Sequence, residues 1–374
     1  DMNVTFTGAL TTDTTLIIQA LEDTDSETMT INFDGATTIT GAVEAENDAS
    51  NATGALELKA SAAITFTGGL DLSTGASNAK LILDGTGTQA ITGAVDGEAA
   101  SKGEINVTNA GGLVTFANNI GAGAALNIVT VGTTTNDSSA KFTGTLGATT
   151  INVQSGESAT EDSSIAFDAA VTGALVLKPG AASSASVDFV DVNAITALTG
   201  AITTTSTDGD DTTVNVYDDG GGAPAVQTFT GAIGTSANPI GTLAIGQADG
   251  DAGSGNFDAA INVTNLTITA DNGGSEASLG LFDDDVTATT ITLDDDTLQA
   301  TIELATAAEK TLAGTIDGAA ADEGILKISA TGKTVSGVIG GTFAIDQIDL
   351  DATATISASA AAKGITIADS VVGD

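Results

Sequence analysis

Apolar side chains recur at every second position in short bursts along this chain. The segments KLILDG at 80–85, EINVTN at 104–109, TINVQS at 150–155, TVNVYD at 213–218 and INVTNLTIT at 261–269 all show it. This is the two-residue period of a half-buried strand, not the 3.6-residue period of a helix. Only residues 300–310 and 357–363 carry helix-forming composition. The first of these keeps strand alternation at Thr301, Ile302, Glu303 and Leu304, so a strand is expected there as well.

Between the bursts one corner sequence keeps returning: an apolar residue, then Thr, Ser or Ala, then Gly, a small residue and an aliphatic one. It reads FTGAL at 6–10, ITGAV at 39–43, FTGGL at 66–70, ITGAV at 91–95, FTGTL at 142–146, VTGAL at 171–175, LTGAI at 198–202 and FTGAI at 229–233. LAGTI at 312–316 and VSGVI at 335–339 continue it, and FANNI at 116–120, FDAAI at 257–261 and DVTATTI at 285–291 are weaker versions. Counted this way the chain holds about 13 units with a spacing near 27 residues, the fixed period of a repeat architecture. A unit of that size has room for two or three short strands and cannot close a core alone, so each must bury its apolar face on its neighbours. The expected fold is all-β: a β-solenoid (β-helix) of about 13 rungs running as one continuous domain over 1–374. A row of small β-sandwiches is the rival; the unbroken period and the lack of Pro-rich linkers argue against it. Phe6, Phe66, Phe116, Phe142 and Phe229 precede the corner and should stack inside. The Gly should serve a backbone that needs φ > 0 or close approach, and the Thr should form a ladder between rungs.

Charge narrows the function. The 374 residues carry 49 acids against 9 bases, all of them Lys, for a formal net charge of −40, with no His, Cys, Trp or Arg. No thiolate, imidazole base or zinc site of the usual N/S type can be built. Nucleic acid would be repelled. No apolar run approaches the 18 residues of a membrane-spanning helix. Carbohydrate-active sites usually offer aromatic platforms, or basic groups for acidic sugars; Tyr217 is the one Tyr and Arg is missing. The expectation is a protein that is not an enzyme.

The acids are unevenly spread. No base lies between Lys178 and Lys310, a stretch that contains Asp208, Asp210 and Asp211, then Asp283, Asp284 and Asp285, then Asp294, Asp295 and Asp296. These nine are the candidate metal ligands, because hard divalent cations such as Ca²⁺ take six to eight oxygens and Asp-rich corners offer carboxylate and carbonyl groups together. The competing reading is a solvated acidic coat, tamed by salt over about 8 Å. Neither an EF-hand loop nor a β-roll nonapeptide is present.

With its FTGAL-like corners, INVT-like strands and Cys-free, acidic, Thr/Gly/Ala-rich composition, the sequence resembles bacterial surface-layer proteins and related secreted acidic β-solenoid repeat proteins. The resemblance covers nearly the whole chain and is one of rhythm, without a diagnostic motif. It implies export, an extracellular or cell-surface location, self-assembly into a layer or filament and structural Ca²⁺. The expected partners are further copies of the chain, head to tail or in a lattice, and divalent cations, without nucleic acid or membrane insertion. The alternative is the stalk of a large adhesin or autotransporter-like surface protein.

Overall fold

The computed structural model describes residues 2–8, 10, 14–20, 28–47, 55–72, 79–190, 196–207, 211–218, 224–247, 251–270, 277–295, 298–306 and 308–368. Among them no helix forms, and none is long and apolar enough to cross a membrane. Parallel strands stack rung on rung as a β-solenoid of about 12 turns with a period of about 25 residues. Two compact units divide the chain, 1–187 and 188–374.

In the first unit three columns of strands run side by side. The longest column contains Met2–Phe6, Thr28–Phe33, Ala55–Ala60, Ala79–Leu83, Lys102–Val107 and Leu126–Val131, and continues into Leu146–Gln154 and Val171–Lys178. A second contains Thr37–Ile39, Ile64–Phe66, Gln89–Thr92, Leu113–Phe116, Ser139–Phe142 and Ser163–Phe167. The third begins as Leu16–Ala20 and Val43–Asn47, shortens through Leu70–Leu72 and Val95–Gly97, and then thins to bridges at Ile120. That thinning explains why the rungs are shorter than the expected 27 residues. Met2 lies opposite Met29, but further on Ile128 lies opposite Thr150.

The second unit has two columns of strands, with isolated bridges at Ile233 and Ile339 in place of the third. One column takes Thr212–Tyr217, Ile240–Ile245, Ile261–Thr269, Val286–Asp294, Lys310–Gly318, Lys333–Val335 and Ala354–Ile356. The other takes Thr196–Thr199, Gln227–Phe229, Ser254–Phe257, Ser278–Phe282, Ala300–Leu304, Ile325–Ile328, Ile345–Leu350 and Ala362–Ile367. The stretch at 300–304 is a strand, as its alternation implied. The nine-residue strands turn a corner, with the register shifting between Thr287 and Thr290.

Because the register is kept from rung to rung, like side chains stack inside. Phe66, Phe116, Phe142 and Phe229 are fully buried, whereas Phe6, on the outermost described rung, is half-buried. Ring centroids lie 4.4 Å apart between Phe116 and Phe142, and 5.0 Å apart both between Phe229 and Phe257 and between Phe257 and Phe282. Each such pair contributes about 0.5–1.5 kcal/mol beyond area burial. The corner Gly behaves as its chemistry requires. Gly93 sits at φ +109°, and a Cβ there would lie 2.0 Å from the Phe66 carbonyl oxygen. The corner Thr differs from expectation: Thr143 Oγ1 donates to the Phe116 carbonyl oxygen, 3.2 Å away on the previous rung, rather than to another Thr. The same carbonyl also accepts the Thr143 backbone N–H at 3.0 Å, so the hydroxyl one residue past the strand adds a second bond to it.

Alternation alone does not foresee a set of buried polar side chains at one corner of the first unit. Gln89, Asn109, Ser138 and Ser163 are all buried. Gln89 Nε2 donates to the carbonyls of Ala60 and Ala62 at 2.8 and 3.1 Å, and Ser138 Oγ donates to the Asn109 carbonyl at 2.9 Å. Their side-chain donors bond to backbone carbonyls of neighbouring rungs at the corner, which offsets the cost of burying them.

Candidate functional site

A dense group of charged side chains is built on the corner after Ser278–Phe282. Phe282 ends that strand pointing inward and Val286 opens the next one pointing inward, so the three residues between them must round the corner. These are Asp283, Asp284 and Asp285, three of the candidate ligands. The rungs above meet each of them differently. The Asp283 carbonyl accepts a hydrogen bond from Thr306 Oγ1 at 2.6 Å. Asp284 Oδ1 accepts one from Lys310 Nζ at 2.5 Å, forming an ion pair. Asp285 Oδ1 accepts one from the Thr311 backbone N–H at 2.7 Å.

A second ammonium stands nearby. Lys333 is 1% exposed, because it falls on the inward parity of Lys333–Val335. Its Nζ donates to the Ala308 carbonyl at 2.9 Å. Burial pushes its pKa down, Asp283 pulls it back up and the like charge of Lys310 lowers it again. Burial raises the pKa of Asp283, helped by Asp258 one rung before and opposed by Lys333. The hydrogen bond from Lys310 lowers that of Asp284. Beside this corner an open groove of about 540 Å³ is lined by Asp285, Glu309, Lys310, Lys333 and the stacked Thr334 and Thr355. The two lysines thus act as built-in counter-ions for a corner that the sequence marks as purely acidic.

The other candidates are placed separately. Asp295 is half-buried; its Oδ1 accepts from the Ala300 N–H and its Oδ2 from the Gly324 N–H at 2.7 Å, so it pins two rungs together. Burial raises its pKa against those two hydrogen bonds. The Asp294 carbonyl accepts from the Ala270 N–H at 2.9 Å. Asp211 is half-buried just before Thr212–Tyr217. Asp208, Asp210 and Asp296 lie outside the described residues. Among the described residues no three acidic side chains converge on a point where a metal ion would sit. The carboxylates placed at 284, 285 and 295 spend oxygens on backbone N–H groups and on Lys310.

Two further acidic features were not legible as sequence clusters, since stacking joins residues far apart. Glu44, Asp71 and Asp96 lie directly opposite one another on successive rungs. Burial raises the pKa of Asp71, and Asp96 and Glu44 raise it further. Like charges facing across a ladder are destabilising. Asp188 is the second: Asn215 Nδ2 donates to its Oδ1 at 2.7 Å, but burial dominates and raises its pKa.

These directions fix a pH dependence. A carboxyl with a raised folded pKa binds its proton more tightly in the native state than in the unfolded chain, where Asp titrates near about 3.9. Its cost therefore grows as pH rises from about 4 through the folded pKa, and stability increases on acidification from neutrality. Asp284 has the opposite sign, and its contribution is lost only as pH falls below about 4 toward its lowered pKa. Asp188→Asn keeps an oxygen for Asn215 and removes the buried charge. The variant is expected to melt at higher temperature than the parent at neutral pH, with the difference vanishing near pH 4. Thermal melts followed by far-UV circular dichroism check this, and a variant less stable than the parent at neutral pH would show that the charged bond to Asn215 outweighs its desolvation.

No family model, no curated protein and no solved structure matches this chain.

Proposed function

We propose that the protein is a structural building block of the cell exterior, which self-assembles into a surface layer or filament under the influence of divalent cations. The observation that carries this reading is the regular stack itself: parallel strands keep their register from rung to rung over about 12 turns, and a single repeated unit stacked in this way is a natural scaffold. The net charge of −40 supports the cation dependence, since repulsion between flanks must be screened before copies can pack side by side.

Electron microscopy of the purified protein tests the reading, once in about 5 mM Ca²⁺, above the roughly 10⁻⁴–10⁻³ M range of extracellular modules, and once with chelator. Ordered sheets or fibres that dissolve on chelation are the expected result. Assembly indifferent to chelator keeps the scaffold and removes the cation. Isolated particles in both conditions overturn self-assembly and favour the stalk of a larger adhesin.

A further inference from the structure

The acids of the second unit keep off one sheet face. From 212 to 294 the sequence carries eleven acids and no base; Asp219, Asp249, Asp271 and Glu276 among them lie outside the described residues. Ten of the eleven fall outside the strands Thr212–Tyr217, Ile240–Ile245, Ile261–Thr269 and Val286–Asp294. The eleventh, Asp294, is the final residue of the fourth strand. Every residue of these four strands is described.

Register turns this pattern into a surface. Val214, Leu243, Leu266 and Ile291 are buried, so the residues on either side of each point outward. One outward file runs Thr213, Thr242, Asn265, Thr290 and Thr315 without a charge. Its neighbour contains Thr267 and Thr292 and meets acids only at its two ends, where Asn215 donates to Asp188 and where Thr292 lies opposite Asp317. Groups repeat about every 4.8 Å along a file, and the files stand about 6.6 Å apart, two residues along a strand. Thr290 Oγ1 donates to Asn265 Oδ1 at 2.7 Å, so adjacent rungs hold each other's side chains and less rotamer freedom is lost on contact.

Charge and spacing select the occupant. A copy with a net charge of −40 approaches another at least cost where both lack charge. The same face on a second copy carries the same repeat, so hydroxyls and amides of one meet partners on the other rung after rung. We infer that two copies of this chain meet face to face through this uncharged sheet, with Thr267 and Thr290 near the centre of the contact. The contact is isologous, the same patch on both copies. Five rungs span about 20 Å, so one contact is small beside the roughly 800 Å² per partner of a stable pair, and it holds only where other contacts of a layer add to it. This inference rests on the scaffold reading above and adds the face that copies share.

Full-length variants are imaged by electron microscopy in about 5 mM Ca²⁺. Thr267→Glu combined with Thr290→Glu sets like charges against each other at the centre of the contact. The double variant is expected to lose lateral order with an unchanged melting temperature, because both side chains point away from the core. Thr228→Glu, outward on the other column of this unit, is the control and is expected to assemble as wild type does. The sequence has no Cys, so Thr267→Cys supplies a single thiol. A bis-maleimide reaching about 10 Å, the spacing of packed sheets, is expected to give a self-linked dimer, and Thr228→Cys is expected to give none. A double variant that assembles as wild type overturns the inference. So does a control that loses order equally, since added charge alone is then the cause. If the double variant does not fold, the thiol decides. Thr267→Cys arrays that form without cross-linking leave the face to another occupant, such as a neutral polysaccharide, and overturn the inference while the scaffold reading stands. Wild-type protein that stays dispersed overturns both.

Discussion

Phe257→Ala is expected to cost about 3–5 kcal/mol, the range for removing a buried aromatic ring. Phe257 is 1% exposed and lies opposite Phe229 on one side and Phe282 on the other, with both centroids at 5.0 Å. Truncation breaks two stacked pairs at once and leaves a cavity that stacked backbone can fill only slightly. The ring also lies over its own strand, since a Cβ on Gly255 would sit 2.7 Å from Phe257 Cε2. Gly255→Ala should therefore be harmful alone and much better tolerated when Phe257 is already Ala, a coupling that a double-mutant cycle measures. In a stack where each rung touches its neighbours, the damage is local. Hydrogen exchange should quicken at 227–229, 254–257 and 278–282, while strands 113–116 and 139–142 of the first unit keep their protection. Urea melts read by circular dichroism give the total; a loss below about 1 kcal/mol would mean that the column closes over the gap.

Gly93→Ala carries the second large effect, through two additive causes. The residue sits at φ +109°, where an L side chain costs about 1–2 kcal/mol. The added Cβ would also lie 2.0 Å from the Phe66 oxygen, an overlap with backbone that no rotamer relieves. Overpacking of this kind adds about 1–3 kcal/mol. The corner must move, and the 2.8 Å hydrogen bond from the Gly93 N–H to Asn118 Oδ1 moves with it. Gly87→Ala is the control, because a Cβ there meets nothing within 4 Å and φ is not positive. It should change stability by less than about 0.5 kcal/mol. Equal losses in the two variants would show that chain entropy, and not the close approach, explains why the corner needs Gly.

The column architecture was readable from local chemistry. Two-residue alternation sets which side chains face inward, and a Gly that tolerates close approach marks each corner. Rung length was less legible, because it depends on how many residues each corner uses, and the third column shrinks from the five residues of Leu16–Ala20 to the single residue Ile120, bridged on both sides. The acidic corner at 283–285 was visible as a run of letters. Its neutralisation was not, since Lys310 and Lys333 arrive from one and two rungs later. Lys333 itself could have been read as buried, for it shares parity with Val335. Glu44, Asp71 and Asp96 form a column only through stacking. Pairing across rungs, not proximity in sequence, decides which charges meet.

The constant step between paired strands also bears on how the chain reaches its fold. Each rung closes against the one before it across about 25 residues, whether it is the second or the tenth. The entropic cost of loop closure depends on that span and not on total length, so contact order stays low as rungs are added. A chain emerging from a ribosome or a narrow pore would have a complete pair of rungs once about 50 residues were out. Every later rung would find a finished template waiting. Folding can then proceed in the direction of emergence, and each closed rung blocks retreat of the chain, so ordered growth itself can supply a forward bias.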